Sequence, residues 1–125
     1  MRIRLNLISQ VKVLGSLSIG DWGGAKYTKS GVPDLLVNFN GYFLAIELKA
    51  PTGKPSHLQL YNIRKIRESH GLGIILYPKD YDLFLKLCDA LSHNMWGVAE
   101  TYQFEIDDNL KLSEEERGVL YGKPI

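Results

Sequence analysis

The sequence predicts an α/β (α+β) fold, a mixed central β-sheet flanked by helices, on three observations. An Asn-Gly pair, Asn40-Gly41, joins two apolar runs; Ser56 with Gln59 and Ser113 with Glu116 match capping boxes; and a short apolar run, GIILYP, lies between those boxes. The resulting order of strand, strand, helix, strand, helix calls for a sheet with helices packed against it. At 125 residues the chain fits one domain, residues 1–125, with a core at about 27–91 and a C-terminal extension at 92–125.

The elements follow in order. RIRLNLI alternates Arg2, Arg4 and Asn6 with Ile3, Leu5 and Leu7, a period of two that favours a strand. From Gly15 to Ser30 the chain is rich in Gly and Ser and reads as a loop, whose Trp22, Lys26, Tyr27 and Lys29 suit a nucleic acid. DLLVNF, Asn40-Gly41 and YFLAIELKA form a hairpin, because both turn residues tolerate the positive φ of a type I′ turn. With those two residues as the loop, Phe39 faces Tyr42 and each pair of numbers sums to 81, which sets Asp34 opposite Glu47. The period of two adds Lys49 to the same face. Pro51 to Pro55 is a turn, and Ser56 then opens a helix running to about His70, which Gly71 stops. GIILYP reads as a buried strand ended by Pro78. Asp80 or Asp82 can cap a helix with Phe84, Leu87, Cys88 and Leu91 on its apolar face. VAETYQFEI alternates like another strand, and Ser113 with Glu116 begins a short terminal helix.

Composition narrows the function classes. With 45% hydrophobic and 23% charged residues, and no apolar run approaching a membrane span, a soluble protein is expected. Asn6, Ser9, Gln10 and Lys12 interrupt any signal-peptide core, which points to the cytoplasm. The lone cysteine, Cys88, excludes an internal disulfide and a cysteine-built zinc site, and its apolar context suggests core packing. The net charge of +1 conceals an asymmetry. Trp22 to Lys79 carries eight Lys or Arg against three acids, whereas the chain from Asp80 onward carries four against ten. The middle suits a polyanion and the tail does not, although both could be ordinary solvated faces.

Two carboxylates opposed across a strand pair, with Cβ atoms about 5 Å apart, repel unless a cation lies between them. Hard oxygen ligands of this kind suit Mg²⁺ or Mn²⁺. Such a metal acidifies water and offsets charge on a phosphate undergoing substitution. Lys49 beside it could orient or deprotonate water, or neutralise the phosphate. The plainer reading is the polar face of an edge strand, but a surface hairpin would more often set a lysine, rather than a second acid, opposite Glu47.

At these residues the stretch from GVPDLLVNF through GYFLAIELKAPTGKPSHLQLYNIRK to GLGIILYPKDY resembles the VRR-NUC branch of the PD-(D/E)xK nuclease superfamily. The resemblance runs from about Tyr27 to Leu91, with Pro33-Asp34 and Glu47-Leu48-Lys49 supplying the motif, Gly31-Val32 preceding it as in phage members, and Gln59 in the place of a helix-borne glutamine. It implies a restriction-endonuclease-like core in which Asp34, Glu47 and the Leu48 carbonyl bind metal, Lys49 assists catalysis and Gln59 supports the site. The family also carries a glutamate on an upstream helix. Here no glutamate precedes Asp34, and Asp21 is the only acid upstream of it.

Taken without the resemblance, Gln59 is explained as the capping partner of Ser56. His57, His70 and His93 are too dispersed for a local metal motif and read as residues near helix ends. Lys26, Lys29 and Lys54 are the first candidates for phosphate contacts because loops beside a site can reach a backbone; Arg64, Lys65 and Arg67 come second. The expectation is a metal-dependent DNA endonuclease, with branched or flapped DNA as candidate substrates. The alternative is a non-catalytic DNA-binding or assembly module on a degenerate nuclease fold. A homodimer is expected, since one domain offers one site and two strands need two cuts, with the tail after Leu91 as its interface.

Overall fold

The computed structural model describes residues 11–13 and 31–122. Four strands, β1 (Val11–Val13), β2 (Leu35–Phe39), β3 (Tyr42–Leu48) and β4 (Leu72–Leu76), form one sheet in that order. The helices are α1 (His57–Glu68), α2 (Tyr81–Ser92), α3 (Trp96–Asp108) and α4 (Glu114–Tyr121). The β1–β2 and β2–β3 pairs are antiparallel and the β3–β4 pair is parallel, the mixed sheet with helices that the sequence predicts. The predicted opening strand and the loop bearing Lys26 and Lys29 lie outside the described residues.

The hairpin turns as its chemistry requires. Asn40 and Gly41 have φ of 52° and 86°, the left-handed values of a type I′ turn. The ladder runs from Phe39 opposite Tyr42 to Leu35 opposite Ile46, the predicted register. The tip is also anchored, because Asn40 Nδ2 donates to the Leu91 carbonyl at 2.8 Å.

The alternating side chains of β3 divide the core. Leu44 and Ile46, with Val37 and Phe39 of β2 and Leu72, Ile74 and Leu76 of β4, pack under α2 and α3. Ala45 and Ile75 face the other way, against Leu60 and Ile63 of α1 and Leu120 of α4. All five residues of β4 are buried, which is why it reads as an unbroken apolar run. Phe84, Leu87, Cys88 and Leu91 form the buried face of α2 as expected, and burial pushes the Cys88 thiol up to about 12, where it is inert as a nucleophile. Ala99, Ile106, Leu110 and Leu120 belong to these cores, so the residues after 92 cover both faces of the sheet.

Two local expectations are corrected. VAETYQFEI is not a strand but part of α3. Its buried residues are Ala99, Gln103, Ile106 and Asp107, at helical spacing, and two of those four are polar, which disguises the stripe. Val98 and Phe104, which supply part of the apparent alternation, are exposed. Asp80 stands at the N-cap position of α2 without a capping bond; it is buried instead, and its Oδ1 accepts from Asn109 Nδ2 at 2.8 Å.

The polar residues of α3 finish the sheet edge. β4 is an outer strand, and the Gly73 N–H donates to Gln103 Oε1 at 3.0 Å while the Gly73 carbonyl accepts from Arg67 Nη2 at 2.7 Å. An edge that would otherwise offer a free donor and acceptor is thus closed by side chains. Position 73 requires glycine, because a Cβ there would meet Ile63 Cγ2 at 2.9 Å. Arg67 also makes a two-pronged bond to Asp107, at 2.7 and 2.9 Å, and the Tyr121 hydroxyl donates to the same carboxylate at 2.9 Å. The Asp107 side chain is 1% exposed, so Arg67→Met is expected to cost about 3–5 kcal/mol by leaving a buried charge unpaired. A urea midpoint unchanged from wild type would refute that assignment.

Candidate active site

The site forms where the hairpin's open end meets α1. Asp34 immediately precedes β2, and continuing the ladder one step places it across from Glu47. Its approach is fixed from upstream. Gly31 has φ of +83°, a Cβ on it would run into Leu58 Cγ at 2.5 Å, and Asn62 Nδ2 donates to its carbonyl at 2.8 Å. Asp34 is exposed, and its Oδ2 accepts the Leu48 N–H at 2.9 Å, binding the two strand ends together. Lys49, just beyond β3, is held by its backbone N–H on the Leu76 carbonyl at 3.0 Å.

Glu47 shares the face of Ala45, towards α1, and is 3% exposed. Burial raises its pKa above the usual carboxylate value; the charge of Asp34 raises it further, and Lys49 pulls the other way. Lys49 Nζ lies 3.5 Å from Glu47 Oε2. Gln59 joins the two. Its Nε2 donates to Glu47 Oε2 at 2.8 Å, while its Oε1 accepts from Lys49 Nζ at 2.8 Å and from the Ser56 N–H at 2.9 Å. The amide orientation follows from chemistry, since an ammonium can only donate and a carboxylate can only accept. The capping reading of Gln59 and the supporting reading therefore coincide in one side chain, because the box that starts α1 also aims the amide.

One atom is left over. Among the described residues Glu47 Oε1 is buried without a hydrogen-bond partner, a costly condition for a carboxylate oxygen. A hard cation beside it would resolve that cost. The donor set suits Mg²⁺ or Mn²⁺, which take one or two protein carboxylates and fill the remaining positions with water and substrate oxygens. Asp34 and Glu47, with the Leu48 carbonyl adjacent in sequence, are the residues available to hold it. Among the described residues no group of three or more His, Cys, Asp or Glu side chains comes together, so the carboxylates these residues bring to the site are two, Asp34 and Glu47. Asp21, the one acid upstream of Asp34, lies outside the described residues.

The other candidates separate clearly. Lys54 is exposed on the loop between β3 and α1 and lines a groove of about 580 Å³. Arg67 is occupied internally by Asp107 and Gly73, so it is structural rather than a phosphate contact. Lys65 pairs with Glu68 at 3.0 Å, and Arg64 lies over the Tyr61 ring at 4.9 Å. His57, His70 and His93 are exposed. Sequence reasoning missed Tyr77, Lys79 and Lys111, which line the groove with Lys54. No local signal marks them, because only the fold brings the end of β4 and the segment before α4 to this loop. No family model, curated protein or solved structure matches the chain.

Proposed function

We propose that the chain is a Mg²⁺- or Mn²⁺-dependent DNA endonuclease with a PD-(D/E)xK core of the VRR-NUC kind. The observation that carries this reading is Glu47: an acid buried opposite a second acid, with Oε1 unpartnered among the described residues and Oε2 tied through Gln59 to a lysine. A sheet built only for stability would rarely combine these features, since burial and the Asp34 charge both oppose the ionised carboxylate and Lys49 is the group that offsets them by charge. Asp34, Glu47 and the Leu48 carbonyl would hold the metal, which supplies acidified water and charge neutralisation at the scissile phosphate.

The chain's own groups have distinct tasks. Gln59 fixes Glu47 Oε2 and Lys49 Nζ relative to one another, so neither side chain must be ordered when substrate arrives. Lys49 then presents an ammonium that can donate to a phosphate oxygen or hold a water by its lone pair. Lys54, together with Lys26 and Lys29, would contact the DNA backbone. A pair of chains would cut both strands of a duplex or branched DNA.

The second reading, a DNA-binding module without catalysis, is favoured by the count of carboxylates: two among the described residues and no third. Incubation with supercoiled, linear, single-stranded and four-way-junction DNA, in Mg²⁺, Mn²⁺ or EDTA, separates the two. The endonuclease cuts at least one of these only with metal. Calorimetry should find a Mn²⁺ site that Asp34→Asn weakens together with cleavage, because an amide offers a neutral oxygen in place of a charged one. Absence of both cleavage and a metal site leaves the binding module.

A further inference from the structure

Past the loop that follows Lys49 lies a groove of which the endonuclease reading uses only Lys54. Lys54, Pro55, Tyr77, Lys79, Lys111 and Glu116 are among its walls, and its volume of about 580 Å³ falls within the range of about 300–1,000 Å³ common for small-ligand pockets. The loop from Pro51 to Pro55 separates it from Lys49. That loop is pinned on the groove side by the Tyr77 hydroxyl, which donates to the Gly53 carbonyl at 2.6 Å. On the other side it packs on Lys49, whose Cδ would lie 3.7 Å from a Cβ at Gly53. A strand leaving the site on that side therefore meets the groove next.

The lining has two characters. Lys54, Lys79 and Lys111 bring three positive charges, against one negative charge from Glu116. Lys79 is held in place, with Nζ donating to the Asn109 carbonyl at 2.7 Å and lying 5.9 Å from the centre of the Tyr77 ring. Pro51, Pro55, Tyr77 and Leu112 supply apolar surface between the charges. Cationic groups around an aromatic and apolar floor suit a nucleotide whose base is free of its partner, because a paired base has its faces covered by neighbours in the stack.

We propose that this groove seats an unpaired segment of the strand being cut, which makes DNA with a single-stranded stretch at the cleavage point the preferred substrate; the inference rests on Asp34, Glu47 and Lys49 being the cutting site. Phosphates run along Lys54, Lys79 and Lys111, and a base rests on the apolar floor. Glu116 limits affinity. It is also the capping partner of Ser113: its side-chain Oε1 accepts the Ser113 N–H at 2.8 Å and its backbone N–H donates to Ser113 Oγ at 3.1 Å, roles that glutamine fills equally well.

Fluorescence anisotropy in EDTA tests this with a fluorescein-labelled oligothymidylate of about twelve nucleotides, a length within single-strand site sizes, and a blunt duplex of the same length. The oligothymidylate should bind more tightly. Lys111→Ala and Lys54→Ala should each reduce the slope of log K against log salt by about 0.7, the share of one single-strand phosphate. Glu116→Gln, which keeps the cap and removes the charge, should tighten binding. Equal affinity for duplex, or salt slopes unmoved by both lysine variants, overturns the groove. The two readings fail differently. A chain that cuts blunt duplex in Mg²⁺ without preferring oligothymidylate loses the groove and keeps the nuclease. One that holds oligothymidylate through Lys54 and Lys111 but neither cuts nor binds Mn²⁺ keeps single-strand binding and loses the nuclease.

Discussion

Lys49→Ala is expected to slow DNA cleavage by about 10²-fold or more, the scale of a lost proton-transfer or charge-stabilising group, while a Mn²⁺ site remains measurable by calorimetry. The separation follows from position. Lys49 Nζ touches Gln59 Oε1 at 2.8 Å and stands 3.5 Å from Glu47 Oε2, so it borders the carboxylates without being a candidate ligand. Its removal takes away the one neighbour that lowers the Glu47 pKa by charge, which weakens the metal site somewhat but leaves both carboxylates in place. Lys49→Arg then divides the roles. A guanidinium remains protonated at all working pH, so it can replace a lysine that neutralises phosphate but not one that passes a proton. Recovery of most activity assigns charge stabilisation; no recovery assigns proton transfer or a need for the compact ammonium. An alanine variant that cuts within a few-fold of wild type would remove Lys49 from the chemistry altogether.

What the sequence revealed and what it hid have physical causes. The hairpin was legible because Asn40-Gly41 is a local device: two residues determine the turn, the turn determines the register, and the register brings Asp34 and Glu47 together. The starts of α1 and α4 were legible for the same reason, since each box closes within four residues. The face of α2 showed through because everything it buries is apolar. α3 did not, because Gln103 and Asp107 are buried to serve Gly73 and Arg67, partners 30 and 40 residues away. Asp80 was misassigned for a similar reason, its partner being Asn109 rather than the backbone of its own helix. At the site, the residue types could be read, but the Gln59 linkage between Glu47 and Lys49 could not. It depends on how α1 docks on β3, which no local pattern encodes. The groove is hidden in the same way, since Lys54, Tyr77 and Lys111 come together only through the packing of α4 beside the end of β4.

Glu47→Gln should abolish metal-dependent cleavage, a fall of at least about 10²-fold, and yet make the metal-free protein more stable. The sign comes from the direction of the Glu47 shift. Its pKa in the folded protein lies above the ordinary value of 4.5, mainly through burial and next through Asp34, so folding favours the neutral form. That contribution is fully present below pH 4.5 and is lost as pH rises through the raised folded value, leaving the ionised carboxylate as a net cost at neutral and alkaline pH. Glutamine does not ionise. It can still accept from Gln59 Nε2, and it puts no charge at the buried position where Glu47 Oε1 has no partner among the described residues. In EDTA the melting temperature of Glu47→Gln should therefore exceed that of wild type at pH 8, with the difference narrowing towards pH 4. Saturating Mg²⁺ reverses the order, because it adds about 2.7 kcal/mol to wild type at a hundred times its dissociation constant and little to a variant lacking the ligand. A structural glutamate would give the opposite pattern in EDTA, with the variant less stable at pH 8, and an equal response of both proteins to Mg²⁺ would show that no metal is held there.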